Sequence, residues 1–204
     1  MSIEGQSPAK LANLVDTIGG IASEISKHPC VTYLDDVQLS DNLVSGVMKN
    51  AAVVACSDVG AWVPYVCSSA SVKLFLFQNF GHHFESGGMV ETIVGKGIQN
   101  VVVYGHSDCK YIKFLARPEN SDKTKTEEQR QLYVAALESD SQAAWKTVGQ
   151  YNVLVELKQM LADPIIGPLA ASGKLNLHGW FYDAVAAQIE VFAPKIKAFI
   201  GVPK

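Results

Sequence analysis

The chain has 204 residues, 48% of them hydrophobic and 18% charged, which excludes an intrinsically disordered chain. At this length folding removes roughly 70% of the unfolded chain's surface from water, so a core forms without staples. The net charge of −3 excludes the basic footprint of a nucleic-acid binder, and apolar runs such as Ala51–Cys56 and Val101–Tyr104 are far too short to span a membrane. No basic segment leads into an apolar one at the N-terminus, so a cytoplasmic globule is expected.

Residues Ser7 to Lys27 read as helix, because Leu11, Leu14, Val15, Ile18, Ile21, Ala22 and Ile25 recur at intervals of three and four. Pro8 suits the first turn with Ser7 as N-cap, and Gly19-Gly20 is expected to divide the segment into two helices. Ala51–Cys56, Lys73–Gln78 and Asn100–Tyr104 are short continuous apolar runs, the pattern of strands covered on both faces. Gly87–Lys96 supplies a helix between the last two. Strands alternating with helices imply right-handed crossovers and a mainly parallel sheet. Pro118–Arg130 is a polar connection, and a helical stretch from Glu127 to Leu161 is expected to break at Ser139–Ser141 and at Gly149. Lys174–Tyr182 and Gln188–Phe192 read as an antiparallel hairpin at the sheet edge, and Lys195–Ile200 as a last helical turn.

Four cysteines, Cys30, Cys56, Cys67 and Cys109, are too few and too scattered for a disulfide scaffold, and no Cys-x-x-Cys is present. Cys30 and Cys67 are expected in the core. Cys56 has Asp58 two residues on, and Cys109 closes His106-Ser107-Asp108-Cys109. Each group follows an apolar strand, and in an open parallel sheet functional groups gather where strands end. Two thiolates, an imidazole and a carboxylate form a four-coordinate set that suits Zn²⁺. The competing reading of the same spacing is two small core cysteines and a hydrogen-bonded loop histidine.

At these residues the sequence resembles the β-class carbonic anhydrases. Ala55–Asp58 is similar to that family's first ligand segment, Leu74–Asn79 to the strand after it, and Gly97–Cys109 to the second ligand segment in order and spacing. Gly173–Asp183 resembles the terminal strand, and the match runs from Ala51 to Phe192. The resemblance implies one domain over 1–204, with a helical arm over 1–50 and an α/β core over 51–192. It further implies that Cys56, His106 and Cys109 hold zinc, that zinc-bound hydroxide converts CO₂ to bicarbonate, and that the protein is a homodimer or homotetramer. Asp58 either accepts a hydrogen bond from the hydroxide or takes the fourth position on the metal.

In the family an arginine two residues after the aspartate decides between those states, and here Gly60 stands there. Gln78 replaces the arginine of an Arg-Asn pair, and Lys110-Tyr111 replaces Gly-Gly. The two arginines of the chain, Arg117 and Arg130, lie in the polar connection. An unpaired Asp58 beside a dication gains most by coordinating it, which gives a closed four-ligand site and weak or absent hydration activity. The alternative is therefore an inactive family member whose zinc serves structure, assembly or regulation. Lys110 is a candidate substitute partner for Asp58, although an ammonium lacks the bidentate fork of a guanidinium. His82-His83 read as solvated loop histidines, with proton shuttling as their functional alternative. His178, Trp180 and Tyr182 read as structural.

Overall fold

The computed structural model of the protein describes residues 8–35, 38–39, 41, 51–59, 74–120 and 126–202. Six strands form one sheet: β1 (Ala51–Cys56), β2 (Leu74–Asn79), β3 (Asn100–His106), β4 (Asn176–Asp183), β5 (Gln188–Ala193) and β6 (Ala198–Gly201). Their spatial order is β2-β1-β3-β4-β5-β6, parallel from β2 to β4 and antiparallel from there on. The helices whose bounds lie among the described residues are α1 (Pro8–Ile25), α2 (Gly88–Gly95), α3 (Lys110–Ala116), α4 (Glu127–Ser139), α5 (Gln142–Ala162) and α6 (Ile166–Ala171). No helix among the described residues is long and apolar enough to cross a membrane.

The sheet follows from composition. Every residue of β1 and β3 is buried, as their unbroken apolar runs require when helices cover both faces. The chain runs from β1 to β2 on one side and then returns past β1 to β3 on the other. The carboxyl ends of β1 and β3 therefore flank the point where strand order reverses, the place where an open α/β sheet leaves a crevice.

Helix α5 lies against β3 and β4, and glycines set how closely. A Cβ on Gly149 would stand 2.6 Å from the Phe181 ring, and one on Gly105 would stand 2.5 Å from Val153. Gly149 therefore does not break the helix as its propensity suggests; it lets the helix approach the sheet. The break expected near Ser139–Ser141 is present, with Asp140 in the left-handed region at φ 40° and Ser141 capping α5 through Ala144 N–H. Helix α4 opens on a capping box between Thr126 and Gln129. Lys146 on α5 pairs with Asp183 and Glu190, tying the helix to the β4–β5 hairpin.

Two C-terminal expectations are corrected. The hairpin strand β5 is not the sheet edge, because β6 adds an antiparallel strand where a helical turn was expected. Phe199 explains the choice: it packs its ring against Phe181 and Phe192, which a strand register allows from the sheet surface. At the other end, α1 runs continuously through Gly19-Gly20. Cys30 is buried, as expected, and Cys67 lies outside the described residues.

Residues 30–32 dock on the free amino half of β4: Leu177 N–H donates to the Cys30 carbonyl, and Thr32 N–H to that of Leu177. His178 sits beneath this seam, its Nδ1 facing the Thr32 carbonyl at 3.0 Å and its Nε2 facing the Asn100 side-chain amide at 2.9 Å. Burial lowers its pKa from 6.5 to about 4, so it stays neutral in the folded protein. The unfolded chain takes up this proton below pH 6.5 and the folded chain does not until about 4. His178 thus leaves stability unchanged above pH 6.5 and subtracts from it as pH falls through that window, by about 3 kcal/mol in all. Urea titrations at pH 7 and pH 4.5 will show this fall, and His178→Gln will flatten it.

Candidate metal centre

Cys56 is the last residue of β1, and Ser57–Val59 leave it as a 3₁₀ turn that carries Asp58. His106 ends β3, and Cys109 is the N-cap of α3. Because β1 and β3 are neighbours in parallel register, these two strand ends are side by side. One ligand atom each from Cys56, Asp58, His106 and Cys109 lies within 4.8 Å of the others. The two cysteines and the histidine are buried, and Asp58 is exposed at the mouth.

The sulfurs of Cys56 and Cys109 are 3.7 Å apart. Two zinc–sulfur bonds of about 2.3 Å meeting at a tetrahedral angle separate their sulfurs by about 3.8 Å, so the pair is spaced for one ion. His106 Nδ1 bonds the Ser107 carbonyl at 2.8 Å, which makes Nδ1 the protonated nitrogen and leaves the Nε2 lone pair free. That Nε2 is buried without a hydrogen-bond partner, a costly state for a polar atom unless an ion takes its lone pair. The donor set therefore fits a zinc ion.

Without a cation the contact between the two sulfurs favours a thiolate at Cys56 and a thiol at Cys109. The hydrogen bond with Cys109 pulls Cys56 from 9.0 to about 4 against the cost of burial, helped by the main chain at Asp58 and Gly81. Cys109 is pushed up by that same bond with Cys56, by burial and by the charge on Cys56. A bound dication would stabilise both thiolates and remove this frustration.

The loop after β2 completes the wall. Gly81 N–H donates to Cys56 Sγ at 3.3 Å. Asn79 holds the loop by accepting from His83 N–H and donating to the His83 carbonyl. His82 is fully buried at φ 51°, and His83 is half-buried, with Nδ1 2.9 Å from Glu156 Oε1. The reading of these histidines as solvated is corrected: the loop folds inward because α5 offers a buried carboxylate, Glu156, whose other oxygen accepts from Phe84 N–H. Glu156 and Gly81 were not singled out from sequence. Glu156 had a visible signal, a lone charge in the apolar run Val153–Leu157 of a helix.

The remaining candidates are placed as follows. Gln78 is exposed on the edge strand β2, one residue before Asn79, which stands beside Cys56 in the register. Lys110 is exposed at the start of α3, and its main-chain N–H, not its ammonium, donates to Asp58 Oδ2 at 3.0 Å. Asp108, at φ 62°, pairs with Lys113 and does not cap α3. A cavity of about 470 Å³ lies behind Ser107 and Asp108, but Lys113, Lys146 and Asp183 on its wall already hold partners of their own.

The family model described as carbonic anhydrase matches residues 51–189. A carbonic anhydrase of Pseudomonas aeruginosa is 25% identical over 182 residues, covering 81% of this chain and 83% of the relative. The structure of the β-carbonic anhydrase CcaA superposes with a TM-score of 0.64 at 22% identity, over 82% of this chain and 84% of the other. A tetrameric β-carbonic anhydrase from Sordaria macrospora gives 0.55 at 16% identity, over 82% and 89%. With strand order, cluster and family model in agreement, the chain belongs to the β-class carbonic anhydrase family.

Proposed function

We propose that the protein is a zinc-dependent carbonic anhydrase, interconverting CO₂ and bicarbonate, whose resting site is closed by Asp58 as fourth ligand. The observation that carries this reading is the convergence of Cys56, Asp58, His106 and Cys109 within 4.8 Å. Bound zinc supplies Lewis-acid activation of water for attack on CO₂. Cys56, His106 and Cys109 hold the ion, and Gly81 N–H steadies the Cys56 thiolate. Asp58 decides access. No ammonium or guanidinium among the described residues forms an ion pair with it, so none of these cations competes with the metal for its carboxylate. Hydration then requires Asp58 to withdraw, and turnover is low.

The same closed set also supports a second reading, an inactive member that keeps zinc for structure. Metal analysis followed by stopped-flow CO₂ hydration from pH 6.5 to 9 separates them. One zinc per chain with slow, zinc-dependent hydration is expected; fast turnover across that range sinks the closed site, and zinc without any hydration selects the structural reading. As a homodimer or homotetramer, in line with the tetrameric Sordaria macrospora protein, it should show two or four times the chain mass by light scattering.

A further inference from the structure

A carboxylate that ligates a metal through one oxygen leaves the other needing a donor, and that outer partner orients the ligand. Asp58 is exposed, so water competes for its oxygens unless the protein fixes them. Its Oδ2 accepts from Lys110 N–H at 3.0 Å, across 52 residues of sequence. That donor is spare, because Lys110 is the first residue of α3 and the opening N–H groups of a helix have no acceptor within it. The turn is itself fixed: Lys113 N–H bonds the Cys109 carbonyl, and Cys109 carries a cluster sulfur. One turn therefore delivers a thiolate and the donor that steers the carboxylate opposite.

We propose that the main-chain N–H of Lys110, and not its ammonium, is the positioning group that holds Asp58 in its ligating attitude. The inference rests on the reading of Asp58 as fourth ligand. The N–H acts through Asp58 and touches no substrate.

Lys110→Pro deletes this one donor. Proline suits the first helical position, and Cys109 at ψ 116° already has the extended backbone that precedes proline. Zinc affinity, measured by competition with a chromophoric chelator, is expected to fall by about 10- to 100-fold in Lys110→Pro. Lys110→Ala keeps the N–H and is expected to stay within about twofold of the parent. Replacing Lys110 by its α-hydroxy analogue turns the amide into an ester and repeats the deletion with the side chain intact, should the proline variant not fold. The d–d bands of the cobalt-loaded protein should shift in the proline and ester forms and not in Lys110→Ala. Asp58→Ala should weaken zinc at least as much, and adding Lys110→Pro to it should cost nothing further. Parent-like zinc affinity and cobalt bands in the proline or ester form overturn the inference, as does an equal loss in Lys110→Ala. Parent-like affinity in Asp58→Ala instead overturns the reading of Asp58 as a ligand.

Discussion

A Cys109→Ala variant is expected to purify without stoichiometric zinc and to lose the stabilisation that zinc gives the parent. Cys109 supplies one of two sulfurs set 3.7 Å apart, and no other cysteine among the described residues reaches the cluster. Zinc at a thousand times its dissociation constant stabilises a folded protein by about 4 kcal/mol. The parent's unfolding midpoint should therefore rise on adding zinc and fall with a chelator, while the variant's stays fixed. The thiol lost is small and buried, so the metal-free variant should fold nearly as well as the metal-free parent. A parent midpoint indifferent to zinc, or a variant that retains the ion, contradicts the assignment. Inductively coupled plasma analysis alongside denaturant titration gives both readings.

The parts of this protein legible in sequence are those governed by periodicity and strand ends. Ala51–Cys56 and Val101–Tyr104 announce buried parallel strands by unbroken apolarity, and the residues that end these strands fall together because neighbouring parallel strands end on one edge. The ligand residues follow from that. What sequence left hidden depends on contacts whose signal is absent from residue type. Gly149 reads as a breaker until Phe181 is seen where its Cβ would be. His82-His83 reads as solvated until Glu156, 73 residues away from His83, is found beneath the loop. The donor to Asp58 is a main-chain N–H, which every residue but proline possesses and which no residue type announces. The strand β6 is hidden in sequence because its value lies in Phe199 against Phe181 and Phe192, a tertiary gain that outweighs local preference.

Gly81→Ala, a conservative change outside the ligands, should damage both the fold and the metal site. Gly81 sits at φ 82°, where a Cβ costs roughly 1–2 kcal/mol, and that Cβ would fall 2.4 Å from the Tyr111 ring. The ring cannot yield freely, because it packs edge-on against His83, whose imidazole is held by Glu156. Overpacking of this kind adds about 1–3 kcal/mol, so the total loss is about 2–5 kcal/mol. The loop must move to relieve it, and moving it withdraws Gly81 N–H from Cys56 Sγ. Stability and zinc affinity should therefore fall together. Gly87→Ala is the natural control: at φ 107° it carries the backbone strain, yet its Cβ meets nothing within 4 Å. It should lose stability and keep its zinc. Adding Tyr111→Ala to Gly81→Ala removes the clash and leaves the strain, so zinc affinity should partly return while stability recovers less. If Gly81→Ala binds zinc as tightly as Gly87→Ala does, the loop does not support the metal site and its N–H contact with Cys56 is incidental.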